Sequence, residues 1–291
     1  MRDKAQLLKR LVVIAAVTVI SLMLRTDSEA VTYWEEDFEN HLNNGTPFTP
    51  WDTCADPACP IDGGNPGISP DFAFSGTHSL KGHYTGLDSG NWIDRNFPNA
   101  TDEIWTRFYY RTQNFTYCPS LPTCDAGTKH FNIGDGTAFR YPNFWLMHEA
   151  NAAGRQFYPV AQVPEQNCGT GAYDACNYFP NMANIPILDG QWYCIETQYK
   201  MNTPGVANGV VGVWVNGTQT VGYTNALLRG PNVSNPNQNS SLTTFTFVRL
   251  YVQHGVGDMF YDRFAVGNTR IPCVGSPAVL VPSPPNNPQV K

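Results

Sequence analysis

The sequence has very little helical periodicity. Beyond residue 30, no stretch keeps apolar side chains at helical spacing for more than about two turns, so we expect helices to be minor. Glycine and proline are abundant instead, with 25 and 23 residues, and 13% of the chain is aromatic. This composition favours short strands joined by turns.

The sequence also lacks a long apolar run. Its longest, Leu11–Leu24, has 14 residues, which is short of the roughly 20 that span a bilayer. Basic residues precede it and Ser28, Glu29 and Ala30 follow it. A basic region, a short apolar region and a small-residue site are the three parts of a secretory signal peptide. We therefore expect cleavage after Ala30 and a secreted protein, extracellular or periplasmic.

Positive charge is scarce. The chain has 18 basic and 24 acidic residues, and the first 30 residues hold five of the former and three of the latter, which leaves a charge near −8. Such a surface repels nucleic acids and anionic membranes, so neither is expected as a partner. We predict one domain over residues 31–276, a Pro-rich disordered tail over residues 277–291, and a monomer.

Cysteine spacings typical of zinc sites are absent. The chain has eight cysteines but no C-x-x-C spacing and no paired histidines, which favours disulfides over zinc. An even number in an exported chain is typical of disulfides. Eight cysteines allow 105 connectivities. The most economical one pairs Cys54 with Cys59, Cys118 with Cys124 and Cys168 with Cys176, and leaves Cys194 to join Cys273.

Alternating polar and apolar residues predict strands. The predicted strands are Trp105–Thr112, Asn143–Glu149, Arg155–Val163, Trp192–Met201, Val210–Val215, Thr243–His254 and Met259–Val266. Turn signals at Asn216-Gly217, Gly190 and Gly255–Asp258 separate them. Short strands with such punctuation indicate a β-sandwich.

Four groups of short motifs resemble a known superfamily. They are Phe38-Glu39 with Trp51, Gly76–Lys81, the stretch Gly190–Gly217 with its Trp192-to-Glu196 and Trp214-Val215-Asn216-Gly217 motifs, and Tyr261–Gly267. Together they resemble the concanavalin A-like lectin and glucanase superfamily, in particular its polysaccharide lyase-like and carbohydrate-binding branch. The resemblance implies a two-sheet antiparallel jelly roll with a concave sheet that binds polysaccharide. Together with the composition and the cysteines, it predicts an all-β fold with few helices and disulfide-stapled loops.

Three strands carry matching rows of long polar and aromatic residues. The rows are Arg107, Tyr109 and Arg111, then Glu196 and Gln198, and then Arg249, Tyr251 and Gln253. Side chains at alternate positions of a strand share a face. Arg, Tyr, Gln and Glu form hydrogen bonds with sugars and stack on them, so we predict that these rows line one polysaccharide groove. The alternative is an ordinary solvated face with surface ion pairs.

The residue types in these rows suit β-elimination from a uronate polymer. That reaction requires a group that neutralises the carboxylate, a base and an acid. Arg249, Arg107 and Gln253 are candidates for the first role. Tyr251, His130 and His148 are the candidate catalytic residues. Lys129 adjoins His130 in a segment that resembles a strand of the lyase-like branch, and it joins the predicted binding residues.

Two alternatives to a lyase remain. Hydrolysis requires two carboxylates across a groove, and Glu196 with Glu149 forms a loose candidate pair. The E-x-D-x-E pattern of Glu35, Asp37 and Glu39 is discounted, because Glu36 stands where related glucanases have an aliphatic residue. A lectin-like module that only binds carbohydrate is the other alternative, since fold does not determine function.

The predicted chemistry requires no cofactor. The resemblance nevertheless implies a structural calcium ion between the first and last strands, held by Glu39 and Asp262. Arg263 departs from the paired aspartates that the superfamily often has at this point.

Overall fold

The structure is a computed structural model that describes residues 31–39, 53–54, 67–84, 90–117, 128–134, 143–151, 154–162, 177–178, 185–226, 244–253 and 255–274. The chain divides into two compact units, Met1–Val31 and Thr32–Lys291. The strands belong to the second unit. Within the described ranges the regular structure is entirely β. Those ranges contain no helix long and apolar enough to cross a membrane. The predicted leader and the Pro-rich tail lie outside them.

Fifteen strands make up the described part of the fold. They are β1 (Thr32–Glu36), β2 (Thr53–Cys54), β3 (Gly67–Ser69), β4 (Ser79–Tyr84), β5 (Gly90–Thr101), β6 (Glu103–Tyr117), β7 (Thr128–Gly134), β8 (Asn143–Asn151), β9 (Gly154–Gln162), β10 (Asn177–Tyr178), β11 (Tyr193–Lys200), β12 (Gly209–Val215), β13 (Thr218–Ala226), β14 (Phe245–Gln253) and β15 (Gly255–Gly267). Each of the seven predicted strands is confirmed, with bounds that differ by a few residues.

The strands form two antiparallel sheets. Sheet A has the order β13-β12-β11-β6-β15-β4-β3, with β1 also paired to β15, and sheet B has the order β10-β9-β8-β7-β14-β5-β2. The described strands change sheet along the chain before β2, β3, β5, β6, β7, β11, β14 and β15. The first strand closes on the last, because Glu36 of β1 lies opposite Phe264 of β15.

The hydrophobic core lies between the two sheets. Phe108 of sheet A packs on Phe131 of sheet B with 5.9 Å between ring centroids, and Phe131 lies 6.0 Å from Phe264. All three side chains are fully buried, and burying a side chain of this size contributes about 1.5–3 kcal/mol. Alternation then turns every second residue away from the core. We call the side of each sheet that faces away from the core its off-core face.

One predicted turn is wrong. Gly255–Asp258 was predicted to form a turn between two strands, but it forms the start of β15. A register shift between Val256 and Asp258 allows the strand to continue opposite β6. Gly257 has a φ of +120°, and a Cβ there would lie 2.4 Å from the Asn114 carbonyl oxygen. The glycine therefore accommodates a β-bulge rather than a turn.

The long-range disulfide predicted from the sequence is confirmed. Cys194 of β11 is bonded to Cys273, 79 residues further along the chain. No cysteine is free among the side chains that the structure describes. The other three predicted pairs, Cys54 with Cys59, Cys118 with Cys124 and Cys168 with Cys176, lie outside the described side chains and stay predictions.

Candidate functional site

Six of the predicted site residues lie on three neighbouring strands of sheet B. They are Lys129 and His130 on β7, His148 on β8, and Arg249, Tyr251 and Gln253 on β14. The backbone register places Thr128 opposite His148 and Lys129 opposite Gln253. Of the six, only the Arg249 side chain is among those that the structure describes. The roles of the other five stay predictions.

The other four predicted binding residues lie in sheet A. Arg107 and Tyr109 are on β6, and Glu196 and Gln198 are on β11. The predicted alternation is confirmed here, because the intervening Phe108 and the flanking Tyr110 belong to the core.

The prediction that all three rows line one groove is wrong. Arg249 lies on the off-core face of sheet B, because its neighbours Val248 and Leu250 are in the core, whereas Glu196 lies on the off-core face of sheet A. The whole thickness of the sandwich separates them. Alternation within a strand identifies the side chains that avoid the core, but it does not tell which sheet a strand joins.

An arginine–aspartate pair occupies the off-core face of sheet B. Arg249 and Asp94 are cross-strand partners on β14 and β5. The Arg249 Nη2 donates to Asp94 Oδ2 at 2.5 Å, and its Nε donates to Oδ1. Their side chains are 6% and 15% exposed. Such a two-point ion pair fixes the plane of the guanidinium group.

Two other residues surround this arginine. Asn132 on β7 lies opposite Arg249 and is fully buried. The Phe247 ring lies 5.8 Å from the guanidinium carbon, within the range of a cation–π contact. Arg249 is therefore enclosed by three neighbouring groups. Asp94 was missed in the sequence because β5 contains glycine, asparagine and proline and was not predicted as a strand.

A C-terminal strap, residues 268–274, covers part of the off-core face of sheet A. The Val274 amide donates to the Tyr109 hydroxyl at 2.6 Å, and this hydroxyl donates back to the Val274 carbonyl at 2.5 Å. Arg270 donates two hydrogen bonds to Glu196, from Nε at 2.5 Å and from Nη2 at 3.2 Å. Glu196 is only 1% exposed. The strap thus holds two of the predicted binding residues inside the fold.

Arg107 and Gln198 also have partners within the fold. The Arg107 Nη2 donates to Glu35 Oε1 at 2.5 Å, and Arg263 donates to the same oxygen at 3.0 Å. Although partial burial acts to raise the pKa of Glu35, these two arginines hold it below its usual value. Gln198 donates to Glu103 Oε1 at 2.9 Å.

A cavity of about 470 Å³ lies beside the strap. Its lining residues are Glu196, Asn216, Gly217, Arg270, Pro272 and Cys273. Cys194, Glu196 and Cys273 form a cluster of metal-ligand type there, but the two sulfurs are joined in the disulfide and are not thiolates. The cavity lies on sheet A, away from the predicted catalytic residues on sheet B.

The hydrolase pair is separated by the fold. Glu149 belongs to β8 of sheet B, whereas Glu196 belongs to β11 of sheet A and is paired with Arg270. Two carboxylates on different sheets, with the core between those sheets, cannot flank one sugar ring.

Glu39 and Asp262 converge on one loop. Asp262 Oδ2 accepts hydrogen bonds from the amides of Phe74 and Ser75 at 2.8 and 3.0 Å. Glu39 Oε1 accepts from the amides of Thr77 and His78, both at 2.8 Å. Between these anchors, Gly76 has a φ of +73°, and a Cβ there would lie 2.3 Å from the Glu39 carboxylate. Only glycine lets the loop approach this closely.

The surroundings of Asp262 disfavour the ionised form of its carboxyl group. Burial raises the pKa of Asp262 to about 6, and the negative charge of Glu39 acts in the same direction, against three backbone amides that lower it. Asp262 sits at a bulge in which Arg263 has a φ of +46°. In the described part of the chain, neither Glu39 nor Asp262 forms an ion pair with lysine or arginine. A cation near the two carboxylates would relieve their repulsion.

Solved structures share this arrangement of sheets. A cellulose-induced protein, Cip1, superimposes with a TM-score of 0.52 at 16% identity, over 83% of this chain and 100% of its own. An endo-β-1,4-glucuronan lyase from the fungus Trichoderma reesei gives 0.53 at 16%, over 82% and 96%. The chain has the concanavalin A-like jelly-roll fold.

A third similar structure is the marine PL-14 alginate lyase from Aplysia kurodai. It gives a TM-score of 0.50 at 14% identity, over 81% of this chain and 99% of its own. No family model and no curated protein sequence matches the chain. At these identities the likeness establishes the jelly-roll fold, and the predicted superfamily resemblance is confirmed at that level.

Proposed function

We propose that the protein is a polysaccharide lyase that cleaves a uronate-containing polymer on the off-core face of sheet B. The observation that supports the proposal is that the adjacent strands β8, β7 and β14 contain six of the predicted site residues, which are Lys129, His130, His148, Arg249, Tyr251 and Gln253. The fold is the one seen in a glucuronan lyase and in a PL-14 alginate lyase.

The chemistry of the proposed reaction is β-elimination. A base removes the proton on the carbon next to the uronate carboxylate, the adjacent C–O bond breaks, and a C=C bond forms between the two carbons. An acid protonates the departing oxygen, and water is not consumed. Tyr251 with His130 or His148 supplies the base and the acid. Gln253, on the same strand as Tyr251, contributes an amide donor to the uronate carboxylate.

The test is the appearance of the unsaturated uronate. Incubation with glucuronan, alginate or a heparin-type polymer should raise the ultraviolet absorbance, because the new C=C bond is conjugated to the carboxylate. Replacement Tyr251→Phe removes one hydroxyl group and should lower turnover by roughly 10²–10⁴-fold. Tyr223→Phe, on β13 of sheet A, is the matched control and should leave turnover unchanged.

The same assay separates the alternatives. Retention on a polymer-containing gel without any gain in absorbance would reject the lyase and support a lectin-like binding module. New reducing ends without absorbance would support a hydrolase instead. His130→Ala and His148→Ala, compared in one series, then identify the histidine that takes part.

We also propose that Glu39 and Asp262 bind a structural calcium ion. The proximity of the two carboxylates, the raised pKa of Asp262 and the tight loop at Gly76 support it. Ca²⁺ favours carboxylate and carbonyl oxygens, and its charge would offset the repulsion between the two acids.

Calcium should raise the unfolding temperature of the wild type. The same addition to Asp262→Asn should have little effect, and an equal rise in both proteins would reject the site.

Export of the protein is the last part of the proposal. The Cys194–Cys273 disulfide is typical of proteins that fold in an oxidising compartment, and the first 30 residues have the pattern of a signal peptide. Mass spectrometry of the protein recovered from the medium should find a chain that begins at Val31. Retention of the whole chain inside the cell would contradict export.

A further inference from the structure

Asp94 has no role in the reaction as proposed so far, yet it is the partner of the only proposed site residue whose side chain is described. Both oxygens of its carboxylate accept hydrogen bonds from Arg249. The alternation of β5 explains this position, since the preceding Ile93 is in the core and Asp94 points to the off-core face beside Arg249.

The geometry limits what Arg249 can offer to a ligand. A uronate carboxylate normally binds an arginine through two parallel N–H groups. In this protein the Nε–H and one Nη2–H are directed at Asp94, and the Phe247 ring lies 5.8 Å from the guanidinium carbon. An incoming carboxylate can therefore not use the Nε/Nη2 edge of the guanidinium group without displacing Asp94. The negative charge of Asp94 also offsets the positive charge that would attract it.

We propose that Asp94 is a positioning and specificity-determining residue of the polysaccharide face. It holds the Arg249 guanidinium in a fixed orientation and keeps the pair electrically neutral. A uronate chain is then bound by Arg249 as an oriented donor and not as a full positive charge. Weak ground-state attraction suits catalysis, because binding the substrate and the transition state equally tightly does not accelerate the chemical step. The inference rests on the proposed function.

Asp94→Asn tests the charge. It leaves a cation without its counter-charge beside the polymer, so KM for an anionic polymer should fall by roughly three- to tenfold and should become more dependent on salt. Because the guanidinium loses its fixed orientation, kcat should fall as well. A fall in KM together with kcat is not expected from a loss of stability alone.

Asp94→Glu tests the positioning. It keeps the negative charge but moves the carboxylate by one methylene, so kcat should fall while the salt dependence of KM stays as in the wild type. This variant also guards against misfolding of Asp94→Asn, because the arginine keeps a charged partner. If both variants match the wild type in kcat and in KM, Asp94 neither positions nor tunes Arg249.

Glu35→Gln is the matched control. It removes a carboxylate that accepts a hydrogen bond from the buried Arg107 on the opposite sheet, whose side chain is 3% exposed. We expect a loss of stability with unchanged KM, kcat and salt dependence at temperatures well below unfolding. If Glu35→Gln shifts KM as much as Asp94→Asn does, the effect is general electrostatics and the inference is rejected.

Binding and spectroscopy separate this inference from the proposed function. Absence of turnover in the wild type rejects the lyase, and tighter retention of Asp94→Asn on an alginate or glucuronan gel would then still support the role of Asp94. In ¹⁵N-arginine-labelled protein, the Arg249 Nε–H resonance should be protected from exchange and should lose that protection in Asp94→Asn. Unchanged gel retention and unchanged exchange would overturn the inference, whatever the enzyme assay shows.

Discussion

The two off-core faces carry similar residues but use them differently. On sheet A, Tyr109 and Glu196 are hydrogen-bonded to the C-terminal strap, and Cys194 is covalently tied to it. On sheet B, the described charged pair, Arg249 with Asp94, joins two strands of the same sheet.

This difference shows that one sequence pattern can have two different structural roles. A strand with arginine, tyrosine and glutamate at alternate positions produces an off-core row in either sheet. On sheet A the row anchors a segment from elsewhere in the chain. On sheet B it coincides with the strands that hold the proposed catalytic residues, so the faces should respond differently to mutation: stability should depend on sheet A and polymer turnover on sheet B.

The largest effect should come from cutting the covalent link of the strap. Replacing both Cys194 and Cys273 by alanine opens a loop of 79 residues, and loops of this size contribute about 2–5 kcal/mol through the entropy of the unfolded chain. Urea unfolding should show this loss, while turnover on sheet B should persist below the unfolding transition. Loss of turnover in a folded double variant would contradict the division between the faces.

The ion pair under the strap should give the next largest effect. Arg270→Ala leaves Glu196, which is 1% exposed, without its partner. Breaking a buried pair in this way costs about 3–5 kcal/mol, and we expect about 2–4 kcal/mol because the Arg270 side chain is 41% exposed.

Arg263→Ala is the control for that measurement. Arg263 is 33% exposed and shares Glu35 with Arg107, so its loss should cost about 0–1 kcal/mol by denaturant titration. If Arg270→Ala and Arg263→Ala lose the same free energy of unfolding, the burial of the partner carboxylate does not determine that loss.

The acidic pair should make stability depend on pH. Asp262 has a pKa of about 6 in the folded protein against its ordinary value of 3.8, so the folded state binds its proton more tightly. Without calcium, the contribution of this group to stability is fully present below pH 3.8 and is lost as the pH rises through about 6. Asp262→Asn should flatten this decline in a series of thermal unfolding measurements.

Bound calcium should stabilise the protein more as the pH rises, which is opposite to the decline expected without calcium. It favours the ionised form, so its stabilising effect should grow with pH and reach about 2–3 kcal/mol at pH 8 and 100-fold excess over Kd. A calcium effect that is constant with pH would show that Asp262 is not a ligand.

A further effect on stability should come from the hairpin between β12 and β13. Asn216 has a φ of +49°, and its Oδ1 accepts a hydrogen bond from the Cys194 amide at 2.8 Å. Asn216→Gly loses only the hydrogen bond, about 1 kcal/mol. Asn216→Ala should cost about 1–2 kcal/mol more, because alanine is disfavoured at positive φ. If thermal unfolding gives the same loss of stability for Asn216→Gly and Asn216→Ala, the positive φ at this position contributes nothing to the cost.

Local patterns predicted the strands well where side chains alternate strictly. The alternation of Tyr193 to Met201 correctly separated core from off-core residues. The same alternation would put Phe245 on the face of Arg249, but Phe245 lies in the core, next to a register shift between β14 and β5. A bulge is set by the partner strand and leaves no clear mark in the sequence.

The sequence by itself determined that the chain is an all-β protein and which segments alternate, and it made Cys194 with Cys273 one pair of the most economical disulfide scheme. These properties follow from local periodicity and from the counting of cysteines. Only the tertiary structure decided which sheet each strand joins. It separated Glu196 from Arg249, brought Asp94 to Arg249, and placed Glu39 beside Asp262. The reason is physical: strand alternation repeats every two residues and acts within one segment, whereas sheet membership depends on the packing of segments far apart in the chain.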